Sequence, residues 1–245
     1  MRAILTYHSI DDSGSAISVD ATAFRRHVAF LASGAVRVTD VAGVLSAGDT
    51  ADAVALTFDD AFTSFAEIAW PLLRERGLPV TLFVVTGHAG GTNAWGGRDA
   101  PGIPTRPLLG WDALAHLAEQ GVQLGAHSRA HPDLTQADDS RLVDEMEGSA
   151  ADLAARTGTR PASFAYPYGA CDERVVAAAR PRFACACTTE LRPLASADDA
   201  YRLPRLDAYY LRAPGRLEAW GRPALRSYLR LRQAGRAVRH ALGMA

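Results

Sequence analysis

Short apolar runs rich in β-branched residues recur along this chain, separated by longer stretches whose apolar positions return with helical spacing. The runs predict strands near 2–8, 35–38, 53–58, 80–85, 122–126, 162–166, 183–187 and 202–206. The periodic stretches predict helices over 20–33, where Phe24, Val28 and Leu31 share a face, and over 62–76, 111–120, 139–157 and 172–180. Asp20, Thr39 and Asp138 stand where N-caps are expected, and Gly34, Gly77, Gly121 and Gly158 where helices should stop. Strands alternating with helices imply βα units and a mainly parallel sheet, and seven or eight such units favour a barrel over an open sheet.

In such barrels the chemistry gathers at the C-terminal ends of the strands. The chemically capable residues of this chain obey that rule: His8, Asp59 with Asp60, His127 with His131, and Tyr168 each follow a predicted strand. The longest stretch without periodicity, 87–109, is rich in Gly and Pro and carries Asn93 and Trp95. It is expected either to cover a substrate, with Trp95 offering an aromatic face to a sugar ring, or to be a plain surface loop.

Composition narrows the field. Nearly half of the 245 residues are apolar, enough for a sizeable core. All 26 basic residues are Arg, and the formal net charge of −1 hides an asymmetry. From Leu211 to the end there are eight Arg against the single acid Glu218, whereas the remaining chain is acidic. Two units are therefore expected, a barrel over 1–210 and a basic helical tail over 211–245. The tail reads either as a solvated helix or as a peripheral contact with membrane or lipid phosphate. No nucleic-acid recognition motif accompanies it. The opening MRAILTYHSIDD has no long apolar core, so neither a secretory signal nor an anchor is expected there. The expected location is cytoplasmic, peripheral to the inner membrane face if the tail makes that contact. Three cysteines argue against a disulfide framework, and Cys185 and Cys187 read as one face of a buried strand.

Three motifs carry chemistry. Thr57-Phe58-Asp59-Asp60 ends an apolar strand with two carboxylates, which need either a cation or the start of a helix as compensation. His127-Ser128-Arg129-Ala130-His131 places two imidazoles four residues apart, on one side of a helical turn, so that both can face one ion. Together with the Asp59-Asp60 pair they would form an Asp/His/His site of three ligands with open positions, the form of a catalytic rather than a structural zinc. Phe164-Ala165-Tyr166-Pro167-Tyr168-Gly169 reads by itself as a turn after a strand.

Together, TFDD at 57–60, HSRAH at 127–131 and FAYPYG at 164–169 resemble, in order and spacing, the first three motifs of the NodB-like polysaccharide deacetylases, carbohydrate esterase family four. The resemblance spans roughly residues 2–206. It implies a distorted (β/α)7 barrel in a single domain and metal-dependent N- or O-deacetylation of carbohydrates, the expected substrate being an N-acetylated amino sugar that is part of a glycan, nucleotide-linked or lipid-linked. Carried over, Asp59 would be the general base. Asp60, His127 and His131 would bind a divalent metal, zinc first, with cobalt or nickel as alternatives. Tyr168 would supply a backbone N–H to the oxyanion, and Tyr166 and Pro167 would line the substrate pocket with Trp95.

Two departures shape the expectation. Family members with the plain third motif carry an Arg where this chain has Ala165, and the family's final Leu-x-His motif is missing near the C-terminus. Leu5-Thr6-Tyr7-His8, however, resembles the circularly permuted branch typified by poly-N-acetylglucosamine deacetylases, in which a Tyr-His strand opens the chain. His8 is accordingly expected to be the general acid, and Arg205, in LPRLD, to replace the missing guanidinium. The rival expectations are a deformylase or amidase of a small or lipid-linked amino sugar, and a carbohydrate-binding module that has lost catalysis.

Overall fold

Six consecutive buried residues form the first strand, β1 (Arg2–Tyr7), in the computed structural model, which describes residues 1–97 and 101–241. A strand buried along its whole length belongs in a parallel sheet covered on both faces. After the two-residue strands β2 (Ser9–Ile10) and β3 (Ser18–Val19), helix α1 (Ala21–Ala32) opens under Asp20, whose carboxylate accepts from the Ala23 N–H at 2.8 Å. The chain continues through β4 (Arg37–Thr39), α2 (Val41–Ser46), β5 (Ala53–Phe58), α3 (Trp70–Glu75), β6 (Thr81–Val84), α4 (Trp111–Glu119) and β7 (Gln123–Ala126). Then follow α5 (Asp139–Val143), α6 (Ser149–Thr157), β8 (Ser163–Ala165), α7 (Glu173–Ala179), β9 (Cys185–Cys187), β10 (Leu206–Asp207) and α8 (Pro223–Ala241).

Seven strands run in the order β10-β1-β5-β6-β7-β8-β9, all parallel, with β4 beside the first half of β5. One segment brings the two edges together: Leu203 bridges to Cys187 of β9, while Leu206 and Asp207 pair with Leu5 and Thr6 of β1. The sheet thus curls into the distorted (β/α)7 barrel. Alternation along each strand sorts the core into two layers. Leu5, Tyr7, Phe58, Leu82 and Phe164 pack outward under the helices, and Ile4, Ala55, Phe83, Ala165, Cys187 and Leu203 fill the interior. The interior is narrow: a Cβ on Gly125 would lie 2.4 Å from the Phe83 ring, so β7 can pass there only as glycine.

Several boundaries differ from those the sequence predicts. Asp40 rather than Thr39 caps α2, its carboxylate accepting from the Gly43 N–H at 2.7 Å. The helix expected over 62–76 begins as a π-helical turn at Phe65–Ala69, and a second such turn, Asp144–Gly148, separates α5 from α6. The strand expected over 202–206 shortens to Leu206–Asp207, since Pro204 has no N–H for a ladder. Stretch 87–109 is anchored rather than free. Thr92 bridges to Pro107, and Asn93 donates to Pro104 O and accepts from Arg106 N. Its residues 98–100 lie outside the described residues. In the basic C-terminal stretch, Leu217, Trp220, Leu225 and Leu229 are buried in the outer core layer. No helix among the described residues is long and apolar enough to cross a membrane.

Candidate active site and metal centre

Asp59 leaves the end of β5 with its N–H donated to Tyr7 O of the neighbouring strand, so its position is fixed by the sheet itself. Its two carboxylate oxygens each accept from one Arg205 guanidinium nitrogen at 2.7 Å. Arg205 Nε donates to Thr188 O at 2.9 Å, and its ring-stacking neighbour is Phe83. Burial would raise the Asp59 pKa, but the charges of Arg205, His127 and His8 outweigh it and hold the carboxyl well below the usual carboxylate range. His8 Nε2 stands 3.8 Å from the Asp59 oxygen, with the His8 side chain 19% exposed. Asp59 thus lies between a buried guanidinium and a solvent-reaching imidazole.

Asp60 points the other way. Its Oδ1 is buried without a hydrogen-bond partner and faces His127 Nε2 at 3.5 Å and His131 Nε2 at 3.7 Å. Those separations are long for hydrogen bonds. They are of the size that separates ligand atoms sharing one cation. His127 Nδ1 donates to Ala165 O at 2.7 Å, which leaves its Nε2 lone pair directed at Asp60. His131 is oriented by packing instead. Trp95 stacks on its ring at 4.5 Å, and Tyr168 meets it edge-on at 4.6 Å. Burial raises the Asp60 pKa, and burial together with the His127 charge pushes that of His131 well down. An orphaned carboxylate oxygen and two converging imidazoles, all within 4.8 Å of one another, fit a divalent cation.

The backbone explains how residues so close in sequence converge. Every non-glycine residue with positive φ among those described lies in the three motif loops: Asp60 (69°), Ala61 (60°), Ser128 (64°), His131 (56°) and Tyr168 (59°). Left-handed conformations cost non-glycine residues energy, and they persist at sites that surrounding structure over-determines. The two histidines therefore do not share a helical turn, as their spacing suggested. Left-handed turns at Ser128 and His131 swing both imidazoles to the same side. Buried Glu145 holds this loop by accepting from the N–H groups of Arg129 and Ala130 at 2.9 and 2.8 Å. Arg129 in turn grips Asp152 through two nitrogens.

The structure brings together Asp59, Asp60, His8, His127, His131, Arg205, Trp95 and Tyr168. It places two expected substrate contacts elsewhere. Tyr166 is fully buried, its hydroxyl donating to Tyr201 O at 3.0 Å, and Pro167 is buried beside it. The alternation along β8 explains the first: Ala165 faces the interior, so Phe164 and Tyr166 face the helices. Sequence reasoning missed Glu145, whose only signal was an acid on the buried side of a predicted helix. It also missed Asp207, a half-buried carboxylate paired in register with Thr6 and subject to the charge of His8. His27 joins Tyr7 OH to Leu211 O in the core.

A family model described as polysaccharide deacetylase matches residues 47–181. No curated protein matches the chain. Among solved structures, the Streptococcus pyogenes deacetylase PplD is similar at TM-score 0.70 and 22% identity, over 84% of this chain and 91% of that one. IcaB from Ammonifex degensii is similar at TM-score 0.69 and 21% identity, over 94% and 97%. The BpsB deacetylase domain from Bordetella bronchiseptica is similar at 0.67 and 18%, over 84% and 95%. At these identities the likeness is one of fold.

Proposed function

The chain belongs to the polysaccharide deacetylase family, and from that premise we propose that it is a cation-dependent hydrolase removing the acetyl group from an N-acetylated amino sugar. The observation that carries this reading is the orphaned Asp60 Oδ1 set between two imidazoles, beside a second carboxylate already saturated by Arg205. Two adjacent aspartates have been given different environments, which is how one site divides two tasks between like groups.

Asp60, His127 and His131 would hold the cation, zinc first with cobalt or nickel as alternatives. Once bound, it supplies Lewis-acid polarisation of the acetyl carbonyl and of the attacking water. Asp59, ionised at any working pH, accepts the proton that the water loses. His8 delivers a proton to the departing nitrogen, which leaves as a neutral amine while the acyl carbon becomes acetate. Protonation of such a leaving group is worth about 10²–10⁴-fold. The Tyr168 N–H, in its left-handed turn, is assigned to the oxyanion, where one donor contributes about 3–4 kcal/mol. Trp95 and the exposed Tyr168 ring border the His131 side of the site and offer apolar faces to the sugar.

The test is acetate release from N-acetylated glucosamine oligomers by protein loaded with zinc, alongside Asp59→Asn. Release by the wild type that falls at least a thousandfold in the variant, with zinc retained, supports the assignment. Zinc-loaded wild type that releases no acyl group from any N-acylated amino sugar overturns it.

A further inference from the structure

The basic C-terminal stretch builds a second feature that deacetylation alone does not use. Immediately after β10, the turn at Ala208–Leu211 and helix α8 enclose a cavity of about 220 Å³ lined by Tyr209, Tyr210, Arg212, Ala213, Tyr228 and Arg232. Arg212 lies over the Tyr209 ring at 3.9 Å, and Arg232 over Tyr228 at 5.2 Å and Tyr210 at 5.8 Å. Among the described residues, neither Arg212 nor Arg232 pairs with a carboxylate, although Arg129, Arg192 and Arg205 all do. Tyr228 OH donates to Tyr210 O at 2.9 Å, which locks the helix to the turn.

One wall of the cavity, the turn at Ala208–Leu211, follows directly on the strand that pairs with β1 just before His8. Parallel pairing of Thr6 with Asp207 carries His8 alongside the turn that begins at Ala208, and the Asp207 carboxylate accepts from the Tyr209 N–H at 3.0 Å. Farther along α8, Gln233 donates to the Glu190 carboxylate at 3.3 Å, and Glu190 O accepts the N–H of Arg205. The helix is thus tied to the same loop that holds the Asp59 partner. A guanidinium stacked on a tyrosine face keeps its N–H edge free for an acceptor in the guanidinium plane. Two such groups, uncompensated and facing one small cavity, call for a compact anion with several acceptor oxygens.

We propose that this cavity is a subsite for a phosphoryl group carried by the amino-sugar substrate, held by Arg212 and Arg232 on the His8 side while the acyl group reaches Asp59 and Asp60. The inference rests on the hydrolase reading for its substrate and on the cavity alone for its anion. A nucleotide-linked and a lipid-linked sugar share that phosphoryl chemistry and differ in what projects beyond it.

The experiment compares zinc-loaded wild type with the double variant Arg212→Gln/Arg232→Gln in two readouts. The first is calorimetric binding of N-acetylglucosamine 1-phosphate against N-acetylglucosamine. The second is acetate release from that phosphate, from UDP-N-acetylglucosamine, from a short-chain prenyl-diphosphate N-acetylated sugar and from neutral N,N′-diacetylchitobiose. The expected result is phosphate-dependent binding that weakens at least tenfold in the double variant, since charge-assisted hydrogen bonds are individually worth about that factor. Turnover of the phosphorylated substrates should fall with it, and any turnover of N,N′-diacetylchitobiose should not. The relative rates on the nucleotide and prenyl substrates then identify the source. Equal binding of the phosphorylated and neutral sugars, or an equal loss on both in the variant, overturns the subsite and leaves the hydrolase standing. Phosphate-dependent binding lost in the variant, with no acyl release from any substrate, keeps the subsite and overturns the hydrolase.

Discussion

Arg205 and Asp59, 146 residues apart in the chain, meet in a bidentate ion pair with both N–O distances at 2.7 Å, and neither side chain reaches solvent beyond 2%. The pair joins the loop after β5 to the segment that closes the barrel, so it is both an electrostatic device and a structural joint. Ala165, at the place where the resembling family carries its arginine, is instead a buried interior residue whose carbonyl orients His127.

Arg205→Ala should leave a buried carboxylate uncompensated and cost about 3–5 kcal/mol of stability, with Asp59→Asn/Arg205→Ala recovering part of it. The pH dependence follows from the same pair. Asp59 has a folded pKa below its unfolded value, so its stabilisation is complete above the unfolded value of about 4 and is lost as pH falls below it. Urea titrations between pH 3 and 7 should therefore show a steep acid loss in wild type that is blunted in Asp59→Asn. Equal acid slopes in the two proteins would show that the pair does not set the acid limit.

Binding of a cation at Asp60, His127 and His131 should appear as stability, because a ligand held only by the folded state stabilises it by about 2.7 kcal/mol at a hundredfold excess over Kd. Zinc added to chelator-treated protein should raise Tm, and plasma mass spectrometry should find about one ion per chain. His127→Ala should abolish both. An unchanged Tm, with no ion retained by wild type, would remove the metal centre from the account.

His8→Ala separates the roles of neighbouring imidazoles. His8 lies 3.8 Å from Asp59 and outside the Asp60 cluster, so its loss should leave zinc content and Tm close to wild type. Acetate release should fall by about 10²–10⁴-fold. Loss of zinc in this variant would make His8 a ligand instead of a proton donor.

These residues were legible to different degrees for physical reasons. Strands β1, β5 and β6 announce themselves because a doubly covered parallel strand needs an unbroken apolar run, and a carboxylate ending such a run requires compensation. The Asp59-Asp60 pair, His127 and His131 could be grouped on that ground, and the family resemblance singled out Asp60 as the ligand. The way they meet could not, since nothing in HSRAH marks Ser128 and His131 as left-handed. Tyr166 was misplaced because motif position says nothing about which face of β8 a side chain takes. Glu145 was invisible because its partners are backbone N–H groups, which carry no residue identity.

Glu145 should prove a positioning residue for the metal loop. Glu145→Ala leaves the N–H groups of Arg129 and Ala130 without their acceptor, a loss of about 1–3 kcal/mol. Supporting residues of this kind typically change metal affinity by about 10–100-fold, and Glu145→Gln, which keeps one acceptor oxygen, should restore part of it. Zinc titrations of the two variants distinguish this from a purely structural role, which would lower Tm and leave zinc affinity untouched.

Ala61 offers the cleanest test of whether the motif loops store strain. It follows Asp60 at φ 60°, it is buried, and of the five left-handed non-glycine residues it alone brings no functional group. A left-handed alanine costs about 1–2 kcal/mol, whereas glycine adopts the same backbone freely but adds about 0.4–1 kcal/mol of unfolded-state entropy. The lost burial of the Ala61 methyl, about 0.8 kcal/mol, offsets what strain relief remains, so Ala61→Gly should stay within about 1 kcal/mol of wild type. If the strain also holds Asp60 in place, the same variant should bind zinc more weakly while its stability stays in that range. A loss well beyond about 1 kcal/mol with unchanged zinc affinity would mean that the backbone at Ala61 is relaxed, and that the Asp60 position is set by β5 and the Asp59–Arg205 joint alone.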